Sequence, residues 1–231
     1  MCGRDKEPYV EAVRKLILAI REAKVNYFVF VGGAGSLHVP GTVHVCAVDH
    51  PDFFVAYRRA LADSEAHTCY MEERLGPLGS SLRKLRNARI AEREGRATDE
   101  TRKFIEDYEK NVSVHDAASE FIQAGRTSYM FFDGNAAFRW TFVSPSPLYR
   151  PGKRTGQYQI TIDEVPLKGE PVSENIFDGC LTGISVADLA IAIADEVEAQ
   201  QYIGKHWTAI GDLSDDTPTA IYLQLDVAKS P

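Results

Sequence analysis

From Glu7 onward apolar residues recur at intervals of three and four, at Val10, Val13, Leu16, Ile17 and Ile20. That spacing gathers them on one face of an α-helix. Pro8 falls in the first turn, where its missing N–H removes no intrahelical bond, so a helix is predicted over Tyr9–Lys24. The pattern changes at Tyr27-Phe28-Val29-Phe30-Val31, an unbroken apolar run stopped by Gly32-Gly33. A run this short and this apolar predicts a strand buried on both faces. Helix, short loop, buried strand and glycine turn form half of a right-handed crossover, the unit of parallel sheets.

Further along, Phe54 to Arg74 reads as one helix, and Thr127 to Phe132 and Phe138 to Val143 as strands. The second of these runs into Ser144-Pro145-Ser146-Pro147, the kind of loop that rims an active site. Tyr158 to Ile162 alternates with period two. Ser185 and Asp188 cap a helix through Glu198 whose apolar face is Ile184, Leu189, Ile193 and Val197, and His206 to Ile210 is a last buried strand. The alternation Ile221, Leu223, Leu225 suggests an edge strand. Phe28–Val31, Arg139–Val143 and Trp207–Ile210 are expected in one predominantly parallel sheet covered by helices on both faces.

Between these segments the composition shifts. Arg83, Lys84, Arg86, Arg89, Arg93 and Arg96 crowd one stretch, Phe104, Ile105 and Tyr108 mark another helix, and Ser113 with Asp116 forms a capping-box pattern ahead of a helix that Gly125 should stop. Residues 76–126 therefore read as a helical insertion, a lid or wall, in a core made of 1–75 and 127–231. The arginine series reads as a solvated helix face, because no aromatic residues interleave with it as a nucleic-acid groove would require. The net charge of −7 offers no general attraction to nucleic acid or to an anionic membrane. No run approaches the roughly 18 apolar residues of a membrane-spanning helix, and MCGRDKEPYV lacks a signal-peptide core. Four widely spaced cysteines without a CxxC pair read as reduced thiols. A cytoplasmic protein with neither nucleic-acid nor membrane partners is expected.

Five segments in order carry a resemblance: YFVFVGGAGSL at Tyr27–Leu37, Pro51-Asp52-Phe53, RWTFVSP at Arg139–Pro145, RPGKRTGQY at Arg150–Tyr158 and GISVADLAIAIAD at Gly183–Asp195. Together they resemble the atypical short-chain dehydrogenase/reductase family with NmrA-like, NAD(P)-binding members. The resemblance spans Pro8 to about Pro51 and Ala136 to Gly211. It implies an α/β fold, a doubly wound Rossmann-like sheet, here truncated because the dinucleotide-binding glycine fingerprint of that family has no counterpart. Gly32, Gly33 and Gly35 follow a strand but lack the GxGxxG spacing, which makes them a weak pyrophosphate cradle.

The same resemblance matches Ser36 to the family's catalytic serine and offers Tyr57 as its tyrosine, although Leu61 stands where the partner lysine belongs. His38, His44 and His50 with Asp49 follow the central strand, at the edge where open α/β sheets bind ligands, and a histidine beside a carboxylate is a ready acid–base pair. Their spacing does not suit a metal. Ser36, His38, His50, Tyr57 and Ser144 are thus the candidate catalytic residues, and Asp49, Tyr70, Arg150 and Arg154 the candidate substrate contacts. These point to a small-molecule enzyme on a degenerate dehydrogenase scaffold, performing a redox-neutral isomerisation, dehydration or cyclisation without a cofactor. The alternatives are an NAD(P)-dependent oxidoreductase and a non-catalytic NmrA-like sensor or scaffold. Strand Phe28–Val31, without its usual neighbour, would leave an open edge, and a homodimer is expected to cover it.

Overall fold

A computed structural model describes residues 6–42, 44–113 and 117–215. The alternation at Ile221–Leu225 and the capping box at Ser113–Asp116 lie outside the described residues or side chains. Helix α1 (Lys6–Glu22) leads into strand β1 (Phe28–Val31), and the fourth residue before the sheet, Lys24, turns the chain with φ 51°. β1 pairs in parallel with β2 (Trp140–Val143), Phe28 opposite Trp140 and Val31 opposite Val143. β2 pairs in parallel with β6 (His206–Gly211), and β4 (Tyr158–Ile162) closes the sheet antiparallel to β6. The order is β1-β2-β6-β4. The three strands expected in one parallel sheet are adjacent in it, but the expected burial on both faces does not hold for β1, the edge strand, where Val31 is 50% exposed.

Alternation along these strands sorts the core into two layers. Phe30, Trp140 and Phe142 point to one face, where Val13 and Ile17 of α1 pack with Tyr129 and Phe132. Val143, Trp207 and Ala209 point to the other, against Leu189 and Ala192 of α7 (Val186–Ala199). The result is a three-layer α/β unit with helices on both faces. Ser185 caps α7 by accepting the Asp188 amide, as its spacing predicts. A second, two-stranded parallel sheet, β3 (Leu148–Arg150) with β5 (Gly183–Ser185), sits beyond the carboxyl ends of the main one.

Two further expectations fail. The stretch Phe54–Arg74 is two helices, α2 (Phe53–Asp63) and α3 (Glu65–Leu75), because Ser64 leaves helical geometry and its hydroxyl caps the second by accepting the His67 amide. Thr127–Phe132 is not a strand. It ends helix α6 (Ala117–Tyr129), which passes through Gly125 without stopping. The hydroxyls of Thr127 and Ser128 donate to the carbonyls of Gln123 and Ala124, which satisfies them inside a helix. Tyr129 and Phe132, three apart, then share the face against the sheet.

Helices α4 (Pro77–Arg93) and α5 (Asp99–Ser113) pack on α2 and α3, while α6 packs on α1 and on the turns that follow β1. Ion pairs tie α4 down: Arg83 to Glu65 and Glu72, Arg86 to Glu65, and Arg89 and Arg93 to Asp63. The basic series is thus spent within the fold rather than presented as a groove. Such pairs contribute little individually. Their consequence is orientation of α4 against α3, where Gly79 allows an approach so close that a Cβ would lie 2.3 Å from the Met71 carbonyl.

Candidate functional site

The parallel strands β1 and β2 both run out at the same edge, and the chain that leaves each is built of small or ring-shaped residues. Gly32-Gly33-Ala34-Gly35 leaves β1 and Pro145-Ser146-Pro147 leaves β2. Between them lies a cavity of about 440 Å³, of the size of small-molecule sites. Tyr9 of α1, Phe53 and Tyr57 of α2, Ile122 and Gly125 of α6 and Tyr149 of β3 complete its walls. Among the described residues no charged side chain lines it.

Each glycine has its own reason. At Gly32 a Cβ would meet the Phe142 ring at 2.1 Å, so the backbone there lies directly on the core. At Gly35 it would meet Ile122 at 2.6 Å. At Gly33 a Cβ would meet nothing within 4 Å, and the backbone is extended, with φ −151° and ψ 154°. A side chain at Gly33 is therefore tolerated by the chain and would enter free space that the cavity now keeps.

Of the candidate catalytic and substrate-contact residues, Tyr57 alone lines this cavity, together with Gly32, Gly33 and Gly35, the weak cradle candidates. Burial pushes its hydroxyl pKa up, Arg58 next to it opposing only in part, so it is a weaker acid than free tyrosine. Ser36 and Ser144 are fully buried directly behind the wall and hydrogen-bond each other at 3.0 Å. His38 stands away from the cavity in the turn after β1, its backbone bridged to Cys46 and Glu164 and its ring 5.9 Å from that of His44. His50 is turned onto Phe177, its Nδ1 accepting the Asp52 amide at 3.3 Å. The expected gathering of five side chains in one pocket thus reduces to Tyr57, with the two serines one layer deeper.

The candidate substrate contacts are likewise engaged elsewhere. Asp49 pairs with Arg126 at 3.0 Å, and Tyr70 lies under Arg74. Arg150 is fully buried and donates to the carbonyls of Pro151 and Ser214, which fixes the chain after β6 against β3. Arg154 is exposed on the loop before β4. Among the described residues no three His, Cys, Asp or Glu side chains converge as a metal site would require.

Sequence reasoning missed His206. It begins β6, is 1% exposed, and its Nε2 lies 2.8 Å from Ser144 Oγ and 3.3 Å from Ser36 Oγ. Its ring is enclosed by Tyr129 at 4.3 Å and Phe142 at 5.1 Å. Burial, with a smaller push from His38, lowers its pKa to about 3, so it is neutral at physiological pH. The available signal was a polar residue heading an apolar strand, HWTAI.

No protein-family model matches the chain. It is 25% identical over 205 residues to YwnB, an uncharacterized protein of Bacillus subtilis, and spans 63% of that protein's length and 88% of its own. Among solved structures it resembles a candidate NADH-flavin reductase of Streptococcus pneumoniae, with a TM-score of 0.51 and 18% identity, covering 92% of this chain and 69% of that one. It also resembles a candidate exported protein of Burkholderia pseudomallei, with a TM-score of 0.50 and 23% identity, covering 90% of this chain and 66% of that one. At these identities the likeness is one of fold: the chain has a Rossmann-like α/β fold with a mostly parallel sheet. No helix among the described residues is long and apolar enough to cross a membrane.

Proposed function

We propose that the chain is an NAD(P)-dependent oxidoreductase whose cavity at the ends of β1 and β2 receives the nicotinamide ring beside a flat, uncharged substrate. One observation carries this reading: among the described residues the cavity is walled by glycine backbone, prolines and aromatic rings, with no charged side chain and no histidine. A site of that chemistry excludes water and orients rings, which is what transfer between two stacked rings needs. The nicotinamide ring, when bound, supplies or accepts a hydride. The backbone of Gly33 and Ala34 would meet one flat face, and Phe53, Tyr57 and Pro145 would hold the rings in place and dry.

The fit is to the ring and not to the phosphates. The sequence has no GxGxxG, and Ala34–Ser36, which follows Gly33, is a single three-residue turn, too short to present the row of amides and the dipole of a helix N-terminus to a phosphate. The redox-neutral isomerase, dehydratase or cyclase reading needs an acid–base group at the substrate. The cavity supplies only hydroxyls, and those of Tyr57 and Tyr149 are made less acidic by burial. It is therefore the weaker reading. The likeness to a protein described as an NADH-flavin reductase agrees with the redox one.

Titration with NADPH and NADH should raise the unfolding temperature, since a ligand at a hundredfold excess over Kd adds roughly 2.7 kcal/mol to the native state. Gly33→Leu should abolish that shift while leaving the unliganded unfolding temperature nearly unchanged, because a Cβ there meets nothing within 4 Å and the backbone is extended. A protein that neither nucleotide stabilises, or a Gly33→Leu variant that binds like the wild type, removes this reading.

A further inference from the structure

Behind the cavity floor runs a chain of hydrogen bonds whose directions follow from counting hydrogens. Ser36 Oγ donates to the Gly33 carbonyl at 2.8 Å, and so has no second hydrogen for Ser144 at 3.0 Å. Ser144 must then donate to Ser36. That leaves its oxygen as acceptor for His206, 2.8 Å away, and assigns the ring hydrogen to Nε2. His206 Nδ1 is then bare. It is buried without a hydrogen-bond partner, and the carboxylate oxygen paired with it, Asp163 Oδ1, is 3.7 Å off, too far for a hydrogen bond. Every link from Nε2 to Gly33 is fully buried at its side chain.

Resting on the reading of the cavity as a ring site, we propose that His206 is a positioning residue for it: its Nε2–H starts a relay through Ser144 and Ser36 that fixes the Gly33 carbonyl and the glycine turn of the cavity floor. His206 touches no ligand. Glycine backbone has more freedom than any other, so a floor made of Gly32, Gly33 and Gly35 needs an external anchor to hold one conformation. The relay provides it from β6, the strand beyond β2, and three members polarising one another bind more firmly than isolated pairs. The Ser36 amide, which donates to the same Gly33 carbonyl at 3.0 Å, reports on that anchor without any ligand.

The test compares two substitutions of similar size. Glutamine places its amide nitrogen where Nε2 stands, whereas asparagine reaches only as far as Nδ1. In the unliganded protein, exchange of the Ser36 amide should be roughly tenfold faster in His206→Asn than in the wild type, and near wild type in His206→Gln. Ser144→Ala, which leaves His206 in place, should also speed exchange and serves if a His206 variant does not fold. A nitrogen-15 spectrum of the wild type should show His206 protonated at Nε2 and bare at Nδ1. Equal exchange in the glutamine and asparagine variants, or a Ser144→Ala variant exchanging like the wild type, overturns the relay. A second arm measures NADPH affinity, expected to fall in His206→Asn and recover in His206→Gln. If the wild type binds no NADPH, the ring-site reading fails, while amide exchange still decides the relay.

Discussion

Acidification from pH 7 to pH 4.5 is expected to unfold this protein, with the loss of stability beginning near pH 6.5, before its carboxylates start to protonate. Two buried histidines set the window. Burial holds His206 down to about 3, and burial, with Arg150 as a second cause, holds His67 down to about 4. An unfolded histidine titrates near 6.5, so as the pH falls below that value the unfolded chain takes up protons that the native state refuses. The stability these residues confer is complete above pH 6.5 and is lost progressively down to their native values. At 1.36 kcal/mol per unit, each contributes on the order of 3 kcal/mol by pH 4, together a large share of the 5–15 kcal/mol typical of a domain.

Local contacts explain why neither ring charges in place. Ser64 Oγ donates to Asp215 and lies 2.9 Å from His67 Nδ1, which leaves His67 Nε2 buried without a partner. A second proton there would be a buried cation in the field of Arg150. For His206, burial is reinforced by the charge of His38, and Asp163, whose own pKa is raised by burial, stands 3.7 Å away. Urea titrations at pH 7, 5.5 and 4.5 should show stability falling steeply, and His206→Gln should flatten the slope. A stability that stays level across that range would show that these histidines are solvated after all.

How far the sequence reveals this molecule depends on whether a signal is local. The buried strands were legible because unbroken apolar runs bounded by glycine and proline have few other uses. The Ser185 cap and the loop Ser144–Pro147 were legible for the same reason, and both stand where expected, one opening α7 and the other rimming the cavity. Thr127–Phe132 misled because aromatic, β-branched and hydroxyl residues favour strands on average. Here those hydroxyls bond within α6, and the packing of Tyr129 and Phe132 on the sheet outweighs propensity.

The site was less legible than the fold. Histidines in a polar loop announce themselves, yet His38 and His50 settle into contacts of their own, while His206 acquires its role only from the pairing of β6 with β2. Ser36 and Ser144 were found as residues following strands. That they face inward, behind the wall, follows from the tertiary packing of the turn Ala34–Ser36 against the end of β2 and not from their neighbours in sequence.

Replacing Asp188 with alanine is expected to cost about 3 kcal/mol and to loosen β4 before the rest of the sheet. Asp188 is fully buried in the first turn of α7. Its Oδ1 accepts the amides of Thr155 at 2.7 Å and Gly156 at 2.8 Å, and its Oδ2 accepts the Thr155 hydroxyl at 2.9 Å. Burial alone would raise its pKa, but these hydrogen bonds together outweigh burial and hold the carboxyl below the usual carboxylate range. It is therefore ionised at neutral pH, where the positive end of the helix dipole also favours it. Alanine leaves two backbone amides and a hydroxyl without their acceptor.

Those groups shape the turn into β4, where Gly156 takes φ +71° and Tyr158 opens the pairing with Gly211. Asparagine keeps the size and one acceptor but turns an NH₂ toward donors, so about half the loss should remain. The urea midpoint should drop for both variants in that order, with faster amide exchange first at Ile160 and Ile162. Because Asp163, which directly follows β4, faces His206, the same variants should carry the disturbance to the inner end of the buried polar chain. An Asp188→Ala midpoint equal to that of the wild type would mean that water replaces the carboxylate at no cost.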